Sequence, residues 1–283
     1  MKTVAIQGIA GAYHEIAARK YFEEQRGEKI EILACTLFED VIASVKKDPN
    51  IVGIMAIENT IAGSLLQNHE LIRESDLVVV GEQEIRISHV LAALSSESLE
   101  TIKEVKSHPI ALMQCNDFLK TMPQIKVVAN EDTALSAKLI AENNWRGHAA
   151  ICSKYAAELY GLKILEERIE TNKRNFTRFL LLVNKWLIED WLTSEFNNKA
   201  SIVFTLPHKQ GSLSKILTIL SFYDVNLTRI QSLPIIGREW EYLFYIDILF
   251  DNLLKYKQSV DAIRPLTIDF KILGEYMENK IVK

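Results

Sequence analysis

Short apolar runs separated by amphipathic, helix-period segments fill the chain from Thr3 to Val183, which restricts it to helices laid against a mostly parallel sheet. Thr3–Ile6 reads as a strand, Glu15–Phe22 as a helix with Ile16, Ala17 and Phe22 inward, and Glu31–Ala34 as the next strand. Phe38, Val41, Ile42 and Val45 recur at helical spacing until Pro49 stops them; Ile51–Ile57 is a buried strand and Ser64–Arg73 a helix. Leu77–Glu84 and Ile87–Leu94 are two strands with no helix between them. Alternation resumes with a strand near Lys106, helix Ile110–Met122, strand Lys126–Ala129, helix Thr133–Asn143, strand Ala149–Ile151 and helix Ser153–Tyr160, and Lys163–Val183 is strand-like. Two α/β lobes result, lobe one at 1–76 and about 165–183 and lobe two at about 77–164. Crossover strands would place a cleft between them, a periplasmic-binding-protein-like architecture.

Between Asn184 and Lys199 the pattern lapses and Asn197-Asn198-Lys199 gives a turn signal, so 184–199 reads as a linker. A βαββαβ series follows: strand Ala200–Leu206, helix Ser212–Phe222 with Leu213, Ile216, Leu217 and Leu220 on one face, strands Asn226–Ser232 and Glu241–Phe250, helix Leu253–Ile263 ended by Pro265, and strand Thr267–Leu273. This ferredoxin-like order places a second domain at 200–276 with a core of its own, and predicts that truncation near Thr193 leaves a soluble catalytic region, 1–183.

A length of 283 residues also favours two domains. A net charge of -4, with no basic cluster of the kind that tracks a phosphate backbone, argues against nucleic acid as a partner. No run reaches the ~18 apolar residues of a spanning helix, so no membrane partner is expected. Met1-Lys2-Thr3-Val4-Ala5-Ile6 turns polar and glycine-containing too soon for a signal peptide. Cys35, Cys115 and Cys152 lie far apart, and the six histidines show no HxH or HExxH spacing. Reduced thiols, no metal and a cytoplasmic location are expected.

Five polar clusters fall just after predicted strands or at helix starts: Gly8–His14, Glu58–Ser64, Ser107–Gln114, Asp132-Thr133 and Asn175–Arg178. Ligands of parallel α/β sheets bind beyond the carboxyl ends of strands, and N–H groups at helix starts favour anions. Together the clusters suggest one cleft for an acidic small molecule. Each also has a plainer reading. Gly8-Ile9-Ala10-Gly11 falls short of a full GxGxxG and suits a simple strand-to-helix turn. Ser107-His108-Pro109 and Asp132-Thr133 suit helix caps, Glu58-Asn59 a solvated loop, and Thr177 and Phe179 a plain strand.

The stretches Ile57-Glu58-Asn59-Thr60-Ile61-Ala62-Gly63-Ser64, Ser107-His108-Pro109-Ile110-Ala111-Leu112-Met113-Gln114-Cys115, Asp132-Thr133-Ala134, Ala149-Ala150-Ile151-Cys152-Ser153 and Asn175-Phe176-Thr177-Arg178-Phe179, in this order, resemble prephenate dehydratase. The resemblance implies conversion of prephenate to phenylpyruvate, water and carbon dioxide without a cofactor, in two α/β lobes with the active site between them. It makes Thr177 the essential catalytic residue, a hydrogen-bond donor or proton relay to the leaving oxygen. Asn59, Thr60, Ser107 and Gln114 would orient carboxylates and hydroxyl, Arg178 would pair with a substrate carboxylate or serve structurally, and Glu58 would position Asn59. Losing a carboxylate together with the ring hydroxyl makes the product aromatic, so the enzyme must mainly orient the substrate and assist the departing hydroxyl. His14 stands where Ser or Thr is common, and Thr171 where Asp is common. With the first strand so close to Met1, no fused chorismate mutase is expected ahead of it.

The last third resembles an ACT domain of the phenylalanine-responsive kind, on Gly211-Ser212-Leu213 and Trp240-Glu241-Tyr242-Leu243-Phe244-Tyr245-Ile246-Asp247. This resemblance implies that Gly211, Ser212, Leu213, Gln231 and Ser232 hold L-phenylalanine as effector, and that copies assemble into a homodimer or homotetramer. Where the motif usually reads Glu-Ser-Arg-Pro, this chain has Gln231-Ser232-Leu233-Pro234. Two lost charges predict a weakened response. An arogenate dehydratase and a non-enzymatic two-lobed solute-binding sensor stay open as rivals, since fold alone does not fix function.

Overall fold

Residues 1–191, 197–235, 237–238 and 240–279 are described in a computed structural model. The strands are β1 (Lys2–Gln7), β2 (Ile30–Cys35), β3 (Val52–Asn59), β4 (Gly63–Ser64), β5 (Val78–Arg86), β6 (Val90–Ala93), β7 (Glu104–Ser107), β8 (Lys126–Ala129), β9 (His148–Cys152), β10 (Lys163–Glu167), β11 (Phe176–Val183), β12 (Lys199–Thr205), β13 (Asn226–Pro234), β14 (Tyr242–Leu249) and β15 (Ile268–Tyr276). The α-helices are α1 (Tyr13–Arg19), α2 (Phe38–Lys47), α3 (Leu66–Ser75), α4 (Pro109–Gln114), α5 (Asn116–Lys120), α6 (Thr133–Glu142), α7 (Lys154–Leu159), α8 (Ser212–Phe222) and α9 (Leu253–Ile263). The expected helix Ile110–Met122 is two short helices that meet at Cys115, which leaves helical geometry at φ -102° and ψ 16°.

Three sheets result, ordered β2-β1-β3-β11-β5 with β4 on β3, β10-β6-β9-β7-β8, and β13-β14-β12-β15. In the second sheet the alternation of β6 is divided cleanly between two cores. Leu91 and Ala93 pack with Ala111 and Cys115 of the α4 side, whereas Val90 and Ala92 pack with Ala134, Ala137 and Ala156 of α6 and α7. β7 pairs in parallel with both β8 and β9. Of the three, β9 is buried on both faces over Ala149–Cys152 and reads as a continuous apolar run, whereas β7 alternates and β8 is a largely exposed edge strand.

The lobe boundaries differ from expectation. β5, placed by sequence in lobe two, belongs to the first sheet, and β10 belongs to the second. Ile87 N–H donates to the Asn175 carbonyl at 2.8 Å, so the chain crosses out of the first sheet after Arg86 and re-enters it at Phe176.

By packing, the chain divides into two units: Met1–Ser44, Gly53–Leu65 and Gln83–Phe179 in one, Val45–Val52, Leu66–Glu82 and Leu180 onward in the other. The second unit is therefore larger than the 200–276 expected. Its βαββαβ order holds, with Ile202, Phe204, Ile246 and Ile248 packed on Ile216, Leu220, Tyr256, Val260 and Ile263 of α8 and α9. Residues 66–82 are tied to this sheet. Lys199 Nζ meets both Glu82 oxygens at 2.8 and 2.9 Å with both groups buried, Tyr245 donates to Glu70 at 2.7 Å, and Lys271 donates to the Arg73 carbonyl at 2.7 Å. Gly274 is required because a Cβ there would overlap the Val79 carbonyl. Of the expected linker, Lys185–Trp191 is a 3-10 helix, and 192–196 lie outside the described residues.

Candidate active site

In the first unit a cavity of about 300 Å³ opens where β1 and β3 end and where β11, α1, α4 and α6 begin. Gln7, Asn59 and Thr177 reach it from strands, Tyr13 and His14 from α1, His108 from the cap of α4 and Gln114 from its last residue, Asp132 and Thr133 from the start of α6, and His89 from the segment ahead of β6. The caps that sequence suggested are real. His108 accepts from Ile110 N–H, and Asp132 accepts from Leu135 N–H at 2.8 Å. Both side chains also line the cavity, so capping and site membership are not alternatives.

Asn59 organises one wall. Its amide oxygen accepts from the backbone N–H of Ile61 and Ala62, both at 2.9 Å, which fixes the ring of atoms in the turn toward β4. Its NH2 donates to Thr177 Oγ1 and Asn175 Oδ1, each at 2.8 Å, with the Phe176 carbonyl at 3.2 Å. Thr177 Oγ1 thus receives a hydrogen bond, and its own proton is available to the cavity. The NH2 of Asn59 is thus engaged with Thr177 and its neighbours at the start of β11.

Opposite stands a buried relay. His89 Nε2 lies 2.9 Å from Gln114 Oε1, and His89 Nδ1 lies 3.0 Å from the Tyr13 hydroxyl, which also donates to the Ser88 carbonyl at 2.7 Å. His89 is 2% exposed. Burial lowers its pKa and that of His108, brings His14 down to about 4, and raises Asp132. The three cavity histidines are neutral near pH 7 on this ordering.

Four expected site residues do not line the cavity. Arg178 lies on the face of β11 opposite its cavity-lining neighbours Thr177 and Phe179, because successive strand side chains alternate. Glu58 is turned away from Asn59 for the same reason, and sits across from Ser64 of β4. Ser107 is fully buried and donates to the Ile151 carbonyl at 2.6 Å. Thr60 accepts from Phe176 N–H at 3.0 Å and donates to the Arg174 carbonyl at 3.2 Å, stitching its turn to β11. Sequence reasoning missed His89, a lone histidine in an apolar run, and fully buried Glu170, which accepts from His89 N–H at 3.0 Å. Of the expected effector residues, Gly211, Ser212 and Leu213 open α8, with Gly211 at φ 77°, and Gln231 and Ser232 lie on edge strand β13. Among the described residues no group of three or more His, Cys, Asp or Glu is placed to hold a metal, and no helix is long and apolar enough to cross a membrane.

The prephenate dehydratase family model matches residues 4–186. A bifunctional chorismate mutase/prephenate dehydratase of Buchnera aphidicola is 33% identical over 277 residues, 97% of this chain and 70% of that protein. Arogenate dehydratase/prephenate dehydratase 2 of Arabidopsis thaliana is 33% identical over 285 residues, covering 96% and 72%. Among solved structures, a prephenate dehydratase from Arthrobacter aurescens in complex with L-Phe superposes with a TM-score of 0.84 at 25% identity, covering 99% of this chain and 93% of that one. GqqA, described as a quorum quenching acylase, superposes with a TM-score of 0.84 at 26% identity, covering 98% of each.

Proposed function

The chain belongs to the prephenate dehydratase family, and we propose that its cavity converts prephenate to phenylpyruvate with Thr177 as the group that assists the departing hydroxyl. The observation that carries this is the 2.8 Å bond from Asn59 to Thr177 Oγ1. By occupying a lone pair, it directs the threonine proton toward the leaving oxygen. As the C–O bond breaks, the electrons of the ring-to-carboxylate bond enter the ring, carbon dioxide departs, and the donated hydrogen bond offsets charge on the hydroxyl. Gln114 presents its amide to a substrate carboxylate, and Asn59 is a positioning residue. Acyl transfer is not favoured, because Thr177 meets an amide donor where a nucleophile needs a base.

One observation favours arogenate as the second substrate: Glu131 and Asp132 line the cavity and could pair with its ammonium group. Incubation with prephenate and arogenate separately, with assay of phenylpyruvate and phenylalanine, decides between them; formation of neither product overturns the assignment. For 200–276 we infer an ACT domain that binds L-phenylalanine around Gly211–Leu213 and Gln231-Ser232, in a cytoplasmic homodimer or homotetramer paired through the open edge of β13. The Arthrobacter relative bound to L-Phe supports the choice of effector.

A further inference from the structure

Prephenate carries two carboxylates, yet the cavity is lined by Glu131 and Asp132 and, among the described residues, by no lysine or arginine. The lining groups that can become positive are His14, His89 and His108. Two of these already use a ring lone pair. His14 Nε2 accepts from Ala56 N–H at 3.3 Å, and His108 Nδ1 accepts from Ile110 N–H at 3.2 Å, so protonation there would break a bond. His89 differs, since both its nitrogens face oxygens, those of Tyr13 and Gln114. With the Tyr13 proton on the Ser88 carbonyl, all three contacts are satisfied together only by a ring carrying two N–H groups. A neutral ring must lose one of them or turn the Gln114 amide.

We propose that His89 takes up a proton as a dianionic ligand enters the cavity, so that a buried imidazolium held between Tyr13 and Gln114 supplies the missing positive charge. The inference rests on this cavity being the substrate site. Protonation also fixes Gln114, whose oxygen must then face His89 and whose NH2 is left for a carboxylate. The titratable groups around the ring permit this. Tyr13 of α1 is pushed well above its ordinary range by burial, and Cys115 and Cys152 are pushed up to about 12 by burial, so all three are uncharged near neutrality. Glu170 is the nearby carboxylate, with Arg86 at 3.4 Å and the Lys173 ammonium on its backbone carbonyl at 2.6 Å. Burial lowers the His89 pKa, while the Gln114 bond and Glu170 raise it; incoming carboxylates add to the second effect.

The test is calorimetric titration of prephenate into full-length Thr177→Val at neutral pH, in buffers of different ionisation enthalpy. Uptake of about one proton per site is expected, and its loss in Thr177→Val/His89→Asn with at least about tenfold weaker binding. Equal heats in all buffers, or undiminished uptake with His89→Asn, would overturn the proposal. A second measurement needs no His89 variant. Ligand that binds the protonated form loses affinity as pH rises, so wild-type KM should climb by about tenfold per pH unit above the free His89 pKa, levelling above that of the complex, while kcat stays level. A KM independent of pH, with prephenate still turned over, overturns the proton uptake alone. No turnover of prephenate removes the substrate assignment and this inference together.

Discussion

Replacing Asn59 by Asp alters one polar group while keeping shape, and so isolates the orientation of Thr177. The Asn59 oxygen that accepts from Ile61 and Ala62 N–H has its equivalent in a carboxylate, so the turn toward β4 keeps both bonds. At the other terminus a donor becomes an acceptor facing Thr177 Oγ1 and Asn175 Oδ1, each 2.8 Å from the native nitrogen. The Thr177 proton then bonds to the new carboxylate and is withdrawn from the cavity. Asn175, whose Nδ2 is buried with no partner among the described residues, can turn its amide to meet the added oxygen. The fold should therefore survive with a loss of about 1–3 kcal/mol, the scale of a disturbed buried hydrogen bond. Losing the contact at the leaving oxygen should lower kcat by ~100-fold or more. Because both residues act through one hydrogen bond, Asn59→Asp added to Thr177→Val should slow turnover no further than Thr177→Val alone. Steady-state kinetics on prephenate, beside urea unfolding, measure all of this. A folded Asn59→Asp enzyme with kcat within about threefold of wild type would refute the positioning role.

Lys199→Met should destabilise the fold by about 3–5 kcal/mol in urea unfolding, because it leaves the buried Glu82 carboxylate without its cation, whereas Lys199→Met/Glu82→Gln should lose far less. Equal losses in the two variants would show that the ion pair is not what holds these segments. Ending the chain before Lys199 should give insoluble protein, not the autonomous catalytic unit that a linker at 184–199 suggests, since residues 66–82 lose Lys199, Tyr245 and Lys271 together; a soluble, active truncation would contradict this. Phenylalanine should inhibit the wild type weakly, and Gln231→Glu/Leu233→Arg should sharpen the inhibition in an activity titration. Unchanged inhibition in that variant would dismiss those positions.

Much of the fold was legible because periodicity is local. Val4, Ala5 and Ile6 of β1, Val41 and Val45 of α2, and the apolar faces of α8 and α9 follow directly from spacing. Sheet membership was not legible, since β5 and β6 read alike as adjacent apolar strands and only pairing separates them. The site shows the same limit. Asn59, Gln114 and Thr177 do meet at the cavity, but the motifs that carry them also contain Glu58, Thr60, Ser107 and Arg178, which do not line it. A motif gives neighbours in sequence, and a strand sends alternate neighbours to opposite faces. Which parity faces the cleft depends on register, and register is tertiary. His89 left no pattern at all, because its partners Tyr13 and Gln114 are distant in the chain.

The role of Thr177 is tested most directly by turnover of prephenate by purified full-length protein, wild type beside Thr177→Val. Wild type should form phenylpyruvate, and the valine variant, still folded, should lose kcat by ~100-fold or more. A folded Thr177→Val protein that keeps near-wild-type kcat would contradict the assignment of the hydroxyl to the leaving group.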